Sequence, residues 1–166
     1  MKGKIFLTIV FSLILLSLLQ ASVKVREQAR DADKILQAPS GATFFLELAD
    51  TESAQTTGLG SRASMEEDEG MLFVFPELDT HRMWMKDMLF PLDIIWLSDA
   101  STTHSALGSR DETAGLVVVD MKEMVAPSTY PEVFSPQTTA KYVLEINGGV
   151  AKKTGITIGS VLMMVE

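Results

Sequence analysis

Apolar and polar residues alternate with a period of two along most of the chain, which is the pattern of half-buried β-strands. The stretch 42–49 is the clearest case, because its phenylalanine and leucine residues at even positions share one side. Further strands are predicted at 71–75, 82–87, 92–98, 115–125, 140–146 and 160–165. Two short helices are expected, one with Asp50 or Thr51 as its N-cap and one over 148–154 that ends before Gly155. The pattern predicts a mostly β fold, a compact β-sandwich or partly open β-barrel with one or two short helices and without a parallel sheet.

The first 41 residues lack this alternation and divide into two segments. Two lysines precede an almost continuous apolar run at 5–19, which is the layout of a secretory signal and is shorter than the ~20 residues that span a bilayer. Residues 1–21 are therefore predicted to be a cleaved signal peptide or, alternatively, an N-terminal anchor in which 5–21 stays in the membrane. Either alternative predicts export to the periplasm or the extracellular space. Residues 22–41 are interpreted as a charged linker, which leaves 42–166 as a single β-rich domain.

Composition and charge exclude several classes of site and partner. The chain has 22 acidic and 14 basic residues, and its net charge of −8 argues against binding to the phosphate backbone of nucleic acids. The absence of cysteine excludes zinc–cysteine sites, iron–sulfur clusters, thiol nucleophiles and disulfides. No cofactor and no resident metal are predicted, and contact with a membrane is expected only through the N-terminal segment.

Two long segments carry neither a strand nor a helix pattern. The polar segment 99–115 is interpreted as a mobile insertion, because Leu107 is its one large apolar residue. The segment 126–138 holds three prolines together with Tyr130 and Phe134. It is therefore expected to be an ordered loop that overhangs a functional site.

The segment 82–97 carries the most informative polar residues. Interpreted as a β-hairpin with a four-residue loop, it places Lys86 opposite Asp93 and Trp84 opposite Ile95. Opposed residues share a face, so Trp84, Lys86 and Asp93 gather on one side. The other side is predicted to be core and consists of Met83, Met85, Asp87, Leu92, Ile94 and Trp96. The polar side is either a semi-exposed ion pair or a recognition pocket with an ammonium, a carboxylate and a stacking indole.

Four motifs follow one another along the chain: GMLFVFP at 70–76, WMKD at 84–87, PLDII at 91–95 and VLEINGG at 143–149. In this order they closely resemble the domain of unknown function 192 family, and the resemblance covers nearly the whole predicted domain. It implies a compact β-rich fold, often found behind a signal peptide or single anchor, with no generally established activity. The family pattern falls on Arg62, Gly70, Met71, Trp84, Met85, Lys86, Pro91, Asp93, Glu145 and Gly149.

These residues favour a small exported binding domain. The candidate ligand-binding residues are Arg62, Trp84, Lys86, Asp93 and Glu145. Cationic side chains supply charge-assisted hydrogen bonds and the indole supplies contact area. The expected ligand is therefore polar or acidic, and it is a small molecule, a glycan or a peptide.

Two alternatives remain open from the sequence. Asp93 and Glu145 could form a carboxylate pair that acts on an envelope glycan or peptide. An enzyme is the less favoured interpretation, because no nucleophile–base arrangement is visible and no catalytic residue is assigned. Thioethers and an imidazole could instead bind Cu(I). This cluster consists of His81, Met83, Met85 and Met88 around Trp84.

Overall fold

The computed structural model describes residues 32–100 and 115–165. Within these ranges seven strands close into a barrel and two further strands form a small separate sheet. The barrel strands are β1 (Lys34–Gln37), β2 (Thr43–Ala49), β3 (Glu69–Asp79), β5 (Leu92–Asp99), β6 (Gly115–Val125), β8 (Ala140–Asn147) and β9 (Val161–Val165). The small sheet consists of β4 (Met83–Trp84) and β7 (Val133–Phe134). The prediction of a mostly β fold is confirmed, and the architecture is a barrel.

Around the barrel the strands follow the order β1-β2-β3-β8-β5-β6-β9 and return to β1. Neighbouring strands are antiparallel except β2 and β3, which are parallel. Helix α1 (Glu52–Thr57) lies in their crossover, and the Thr51 hydroxyl caps it by accepting a hydrogen bond from the Ala54 amide at 3.2 Å. A second helix, α2 (Val150–Lys153), follows β8. Both short helices are as predicted. The sequence did not predict the single parallel pair, which the crossover through α1 makes possible in an otherwise antiparallel barrel.

Two hydrophobic clusters lie on opposite sides of the barrel wall. The interior cluster draws side chains from all seven barrel strands, among them Leu46, Ile95 and Leu144. The outer cluster covers the outside of β3, β5 and β8 and includes Leu59 and side chains from the segment 83–88. As a result β5 is buried on both faces.

The hairpin predicted within 82–97 does not form. β5 pairs with β6 on one edge and with β8 on the other, so neither edge is open to β4. β4 pairs instead with β7, where Met83 lies opposite Phe134 and Trp84 opposite Val133. The predicted core face is nevertheless confirmed for the residues that join the outer cluster: Met83, Met85, Leu92, Ile94 and Trp96.

The barrel begins at Lys34, inside the segment 22–41 that the sequence predicts to be a linker. β1 pairs with both β2 and β9 and thereby closes the barrel. Leu36 is fully buried in the interior cluster, and Ile35 lies opposite Phe45. The linker prediction is wrong for this part, because a four-residue strand is too short for an apolar period to be visible.

The signal or anchor predicted at 1–21 lies outside the described residues, as does most of the insertion predicted at 99–115. In the part of the chain that is described, no helix is long and apolar enough to cross a membrane. Export therefore stays a prediction from the sequence.

Candidate functional site

A cavity of about 240 Å³ opens on the outside of the barrel, over β3 and β8. Its base includes Glu145 of β8 together with Phe73 and Phe75 of β3. One wall comes from α1 and the turn that follows it, within 52–60, and the other comes from the segment 82–88. We call this cavity the Glu145 cleft.

Hydrogen bonds hold the α1 wall against the barrel, and a glycine lets the backbone pass close to the barrel surface. The Gln55 side-chain amide donates to the carbonyl oxygens of Ala49 at 3.1 Å and Val74 at 2.9 Å. Gly58 ends α1 with a φ of 51°, a left-handed value that glycine adopts without steric cost. A Cβ atom at this position would lie 3.4 Å from Phe73 Cζ, so the backbone passes close over this ring.

The wall formed by 82–88 is anchored near both of its ends. The Trp96 indole Nε1 donates to the His81 carbonyl oxygen at 2.8 Å, and the Ser61 amide donates to the Asp87 carbonyl oxygen at 2.8 Å. Buried methionines fix the segment between these anchors: Met83, Met85 and Met88. Four residues of this wall are exposed, and three of them, Arg82, Trp84 and Lys86, line the cleft, whereas Asp87 does not.

Trp84 is 53% exposed, although it lies in a strand. Its partner across the small sheet is Val133 of β7, which belongs to the segment 126–138. The prediction that this segment is ordered is confirmed, and it lies beside the cleft wall. Trp84 therefore offers an indole surface held by backbone pairing rather than by burial.

Glu145 is the buried polar group of the cleft. Its residue surface is 4% exposed, and it lies between Met71 of β3 and Ile94 of β5. No residue within the described ranges forms a hydrogen bond or an ion pair with its carboxyl group, and burial raises its pKa to about 8. Its carboxyl oxygens are not sealed off from solvent, and the side chain lines the cavity. At neutral pH it is mostly protonated, and it is free to donate or accept a hydrogen bond.

The cations at the rim also lack partners inside the described part of the chain. Arg82 and Lys86 line the cleft and form no ion pair there. Glu52 lines the same cavity from the opposite wall. The charges are therefore divided, with the cations on the segment 82–88 and an acidic residue on α1.

Arg62, a predicted ligand-binding residue, does not line the cleft. Its guanidinium forms a two-point ion pair with Glu47, with 2.9 Å between Nη2 and Oε2. The hydrogen bond to Arg62 lowers the pKa of the Glu47 carboxyl. Since its charge is already paired, Arg62 acts as a surface link between β2 and the turn after α1.

Asp93, a second predicted ligand-binding residue, is a structural carboxylate. It is fully buried and accepts three backbone hydrogen bonds, from the amides of Met124 at 2.8 Å, Gly149 at 2.9 Å and Ala151 at 2.8 Å. These bonds join the end of β6 to the start of α2. The predicted pairing of Asp93 with Lys86 is wrong, because Lys86 is exposed on the cleft wall.

Asp93 and Glu145 also lie on opposite faces of the barrel wall. Asp93 is registered with Ile146, and Glu145 with Ile94. Because side chains alternate along a strand, Asp93 shares the face of the interior cluster and Glu145 shares that of the outer cluster. The carboxylate pair proposed for catalysis is therefore wrong.

The copper hypothesis requires accessible thioethers. Met83, Met85 and Met88 are buried in the outer cluster, where methionine fills space between other apolar side chains. The His81 ring stacks on Phe75 with 3.6 Å between centroids, and its Nε2 lies 3.0 Å from the Glu77 carbonyl oxygen. These side chains are thus engaged in packing.

Of the five predicted site residues, the structure brings Trp84, Lys86 and Glu145 together in one cleft. Sequence reasoning missed Arg82, although it follows the same period of two as Trp84 and Lys86. It also missed the wall formed by Gln55 and its neighbours, for which no local signal exists. That wall comes from a separate segment that only the tertiary fold brings across the cleft.

Two other cavities lack an unpartnered buried polar group. One of about 410 Å³ has Glu67 and Lys153 on its border, and these two side chains pair with each other. The other, of about 280 Å³, is mainly apolar, and the Tyr142 hydroxyl on its border donates to Asp99 at 3.0 Å. The Glu145 cleft is therefore the strongest candidate site.

Comparisons with known proteins agree with the fold. The model of the DUF192 family, described as an uncharacterized ACR, matches residues 35–108. A crystal structure of a candidate transcription regulator from Sinorhizobium meliloti 1021 is similar with a TM-score of 0.63 and 28% identity, over 79% of this chain and 91% of that one.

A crystal structure of a protein of unknown function from Novosphingobium aromaticivorans DSM 12444 is similar with a TM-score of 0.61 and 30% identity. That similarity covers 78% of this chain and 81% of the other. The comparison with curated proteins gave no match. On the family match and this similarity, the chain belongs to the uncharacterised DUF192 family.

Proposed function

We propose that this protein is a small exported binding domain whose Glu145 cleft binds a polar ligand that carries a carboxylate group. The observation that carries this proposal is the pair of rim cations, Arg82 and Lys86, which have no acidic partner among the described residues. A carboxylate accepts charge-assisted hydrogen bonds from guanidinium and ammonium groups. Because Glu52 lines the opposite wall, the carboxylate is expected on the side of the segment 82–88.

The remaining surface of the cleft suits a ligand with an apolar part. Phe73 and Phe75 lie at its base, and the half-exposed indole of Trp84 lies on the cationic wall. Aromatic rings supply large contact areas, and a few polar groups then fix orientation. The ligand classes that combine both features are small organic acids, acidic glycans and acidic peptides.

Binding is favoured over catalysis by the state of the groups around the cleft. The hydroxyls of Thr56 and Thr57 donate to the carbonyl oxygens of Glu52 and Ser53 at 2.8 and 2.9 Å. They are therefore engaged within α1 and are not activated by a base. The second carboxylate among the described residues that line the cleft is Glu52 on the opposite wall, and no hydrogen bond joins it to Glu145, so the two do not form a coupled acid–base pair.

A direct test is a titration of the protein with small carboxylates, uronic acids and acidic peptides, followed by NMR. Lys86→Ala and Arg82→Ala are each expected to weaken binding of the best carboxylate at least about tenfold, since a charge-assisted hydrogen bond contributes ~1.5–3 kcal/mol. Lys152→Ala is the matched control, because Lys152 is an exposed lysine of α2 that does not line the cleft. If Lys86→Ala and Lys152→Ala bind the carboxylate equally well, the proposal is wrong.

The description of the Sinorhizobium protein as a candidate transcription regulator is not extended to this chain. A net charge of −8 opposes association with the nucleic acid backbone. The export part of the proposal rests on the apolar run at 5–19, and cell fractionation tests it.

A further inference from the structure

The base of the cleft holds a carboxyl group that the fold leaves without a partner. Glu145 is nine-tenths or more buried and lines the cavity, yet no described side chain or backbone amide bonds to it. Buried carboxyl groups in folded proteins are normally hydrogen-bonded or paired, because an unpartnered one costs stability. Asp93, one strand away, has three such partners. The hydrogen-bond partner of Glu145 is therefore supplied by whatever occupies the cleft, which is water in the empty cleft and a polar group of the ligand in the filled one.

The surroundings of Glu145 favour a cation as that partner. Phe73 and Phe75 line the cavity together with Glu145, and the face of an aromatic ring attracts an ammonium group. The carboxyl group is the acidic group at the base, while Arg82 and Lys86 are on the wall. The cleft thus offers one ligand a positive side and, at its base, a carboxyl group that can become negative when a cation pairs with it.

We propose that the ligand is zwitterionic, with a primary ammonium group that pairs with Glu145 and a carboxylate that Lys86 and Arg82 hold. This inference rests on the proposed function for the carboxylate end and adds the ammonium end. The cavity of about 240 Å³ is smaller than the ~300–1,000 Å³ of sites for drug-sized ligands. The ligand is therefore an amino acid or a molecule of similar size.

Pairing with an ammonium group requires the Glu145 carboxylate. Burial raises the pKa of this group to about 8, so below that pH the empty cleft holds a proton that the ligand must displace. Affinity is then expected to rise about tenfold per pH unit up to pH ~8 and to level off above it. A protonated Glu145 that donates to a neutral ligand group predicts the opposite, constant affinity below pH 8 and weaker binding above it.

Other charged groups face this site and need a control. Glu52 of α1 and Arg82 and Lys86 of the opposite wall line the cavity, and His81 stacks on Phe75. Glu145→Gln removes the titrating carboxyl and keeps the size of the side chain. A pH dependence that persists in Glu145→Gln would belong to another group and would overturn the inference.

The experiment uses matched sets of simple compounds with the full chain at pH 7. The zwitterions are 4-aminobutanoate, 5-aminopentanoate and 6-aminohexanoate, and their controls are the corresponding carboxylates and alkylamines. The best zwitterion is expected to bind at least tenfold more tightly than its carboxylate and to release about one proton, measured by calorimetry in two buffers. Glu145→Gln should abolish this gain and the proton release.

The outcomes separate the two proposals. If carboxylates bind through Lys86 but the ammonium group adds nothing, the zwitterion inference fails and the proposed function stands. If no compound binds, or if binding ignores Lys86→Ala, the proposed function fails as well. Thermal unfolding of each variant verifies that the protein is folded before binding is compared.

Discussion

Two carboxyl groups on neighbouring strands show how differently one fold can treat the same chemistry. Asp93 and Glu145 occupy adjacent register positions of β5 and β8, and both are buried. Asp93 faces the barrel interior and is satisfied by three backbone amides, whereas Glu145 faces the cleft and has no partner within the described residues. Burial alone therefore does not reveal the role of an acidic residue. The supply of hydrogen-bond donors around it does.

The largest loss of stability is expected when Asp93, the carboxylate with three hydrogen-bond partners, is removed. Asp93→Ala leaves three backbone amides without an acceptor, the Ala151 amide buried and the other two partly buried, and each unsatisfied buried donor costs ~1–3 kcal/mol. The free energy of unfolding, measured in urea, should fall by ~3–5 kcal/mol or the chain should fail to fold. Asp93→Asn keeps an oxygen acceptor and should lose less. A loss below ~1 kcal/mol for Asp93→Ala would contradict the structural role.

Glu145→Gln is expected to raise the free energy of unfolding, whereas Asp93→Ala lowers it. The pKa of Glu145 is raised from 4.5 to about 8, so between these pH values the unfolded chain releases a proton that the folded protein retains. The stability of the wild type therefore falls as pH rises through this window, at up to ~1.4 kcal/mol per pH unit, and levels off above pH 8.

The variant lacks this dependence, and its free energy of unfolding should exceed that of the wild type by about 4 kcal/mol at pH 8, with the difference shrinking toward pH 4.5. Urea unfolding at several pH values measures it. Equal pH dependence in the two proteins would mean that the Glu145 carboxyl is not destabilised by burial.

The smallest change in the free energy of unfolding is expected at a third carboxylate, Glu47, which lies on the protein surface. Glu47 is paired with Arg62, but their side chains are 53% and 36% exposed. Arg62→Ala should therefore cost less than ~1 kcal/mol at neutral pH, because solvent screens exposed pairs. The hydrogen bond to Arg62 lowers the pKa of Glu47, so this contribution should be lost as pH falls through that lowered pKa. A cost above ~2 kcal/mol would show that exposure is a poor guide here.

The sequence predicted which side of a strand each residue occupies better than it predicted which strands pair. A period of two was enough to assign Met83, Met85, Ile94 and Trp96 to one core side, because alternation is a property of a single strand. It could not predict that Trp84 pairs with Val133, because two short segments far apart in the chain come together only in the tertiary fold.

The site was predictable in the same limited sense. Trp84 and Lys86 were chosen for their residue types, and both line the cleft. Asp93 shares the face of Ile95, as predicted, but its pairing with Lys86 was wrong, because the amides that bind it come from β6 and the start of α2, which no local pattern relates to position 93. The family resemblance gave the motifs that carry these residues, but it gave no role that could separate Asp93 from Glu145.

Both walls of the Glu145 cleft belong to excursions that leave the barrel and return to it. Exchanging exposed residues such as Trp84 or Lys86 does not alter strand order, register or the interior cluster. A change in the walls would therefore change which molecule fits the cleft, while the barrel and its buried acidic group stay the same. Such an arrangement lets specificity diverge in evolution without rebuilding the scaffold.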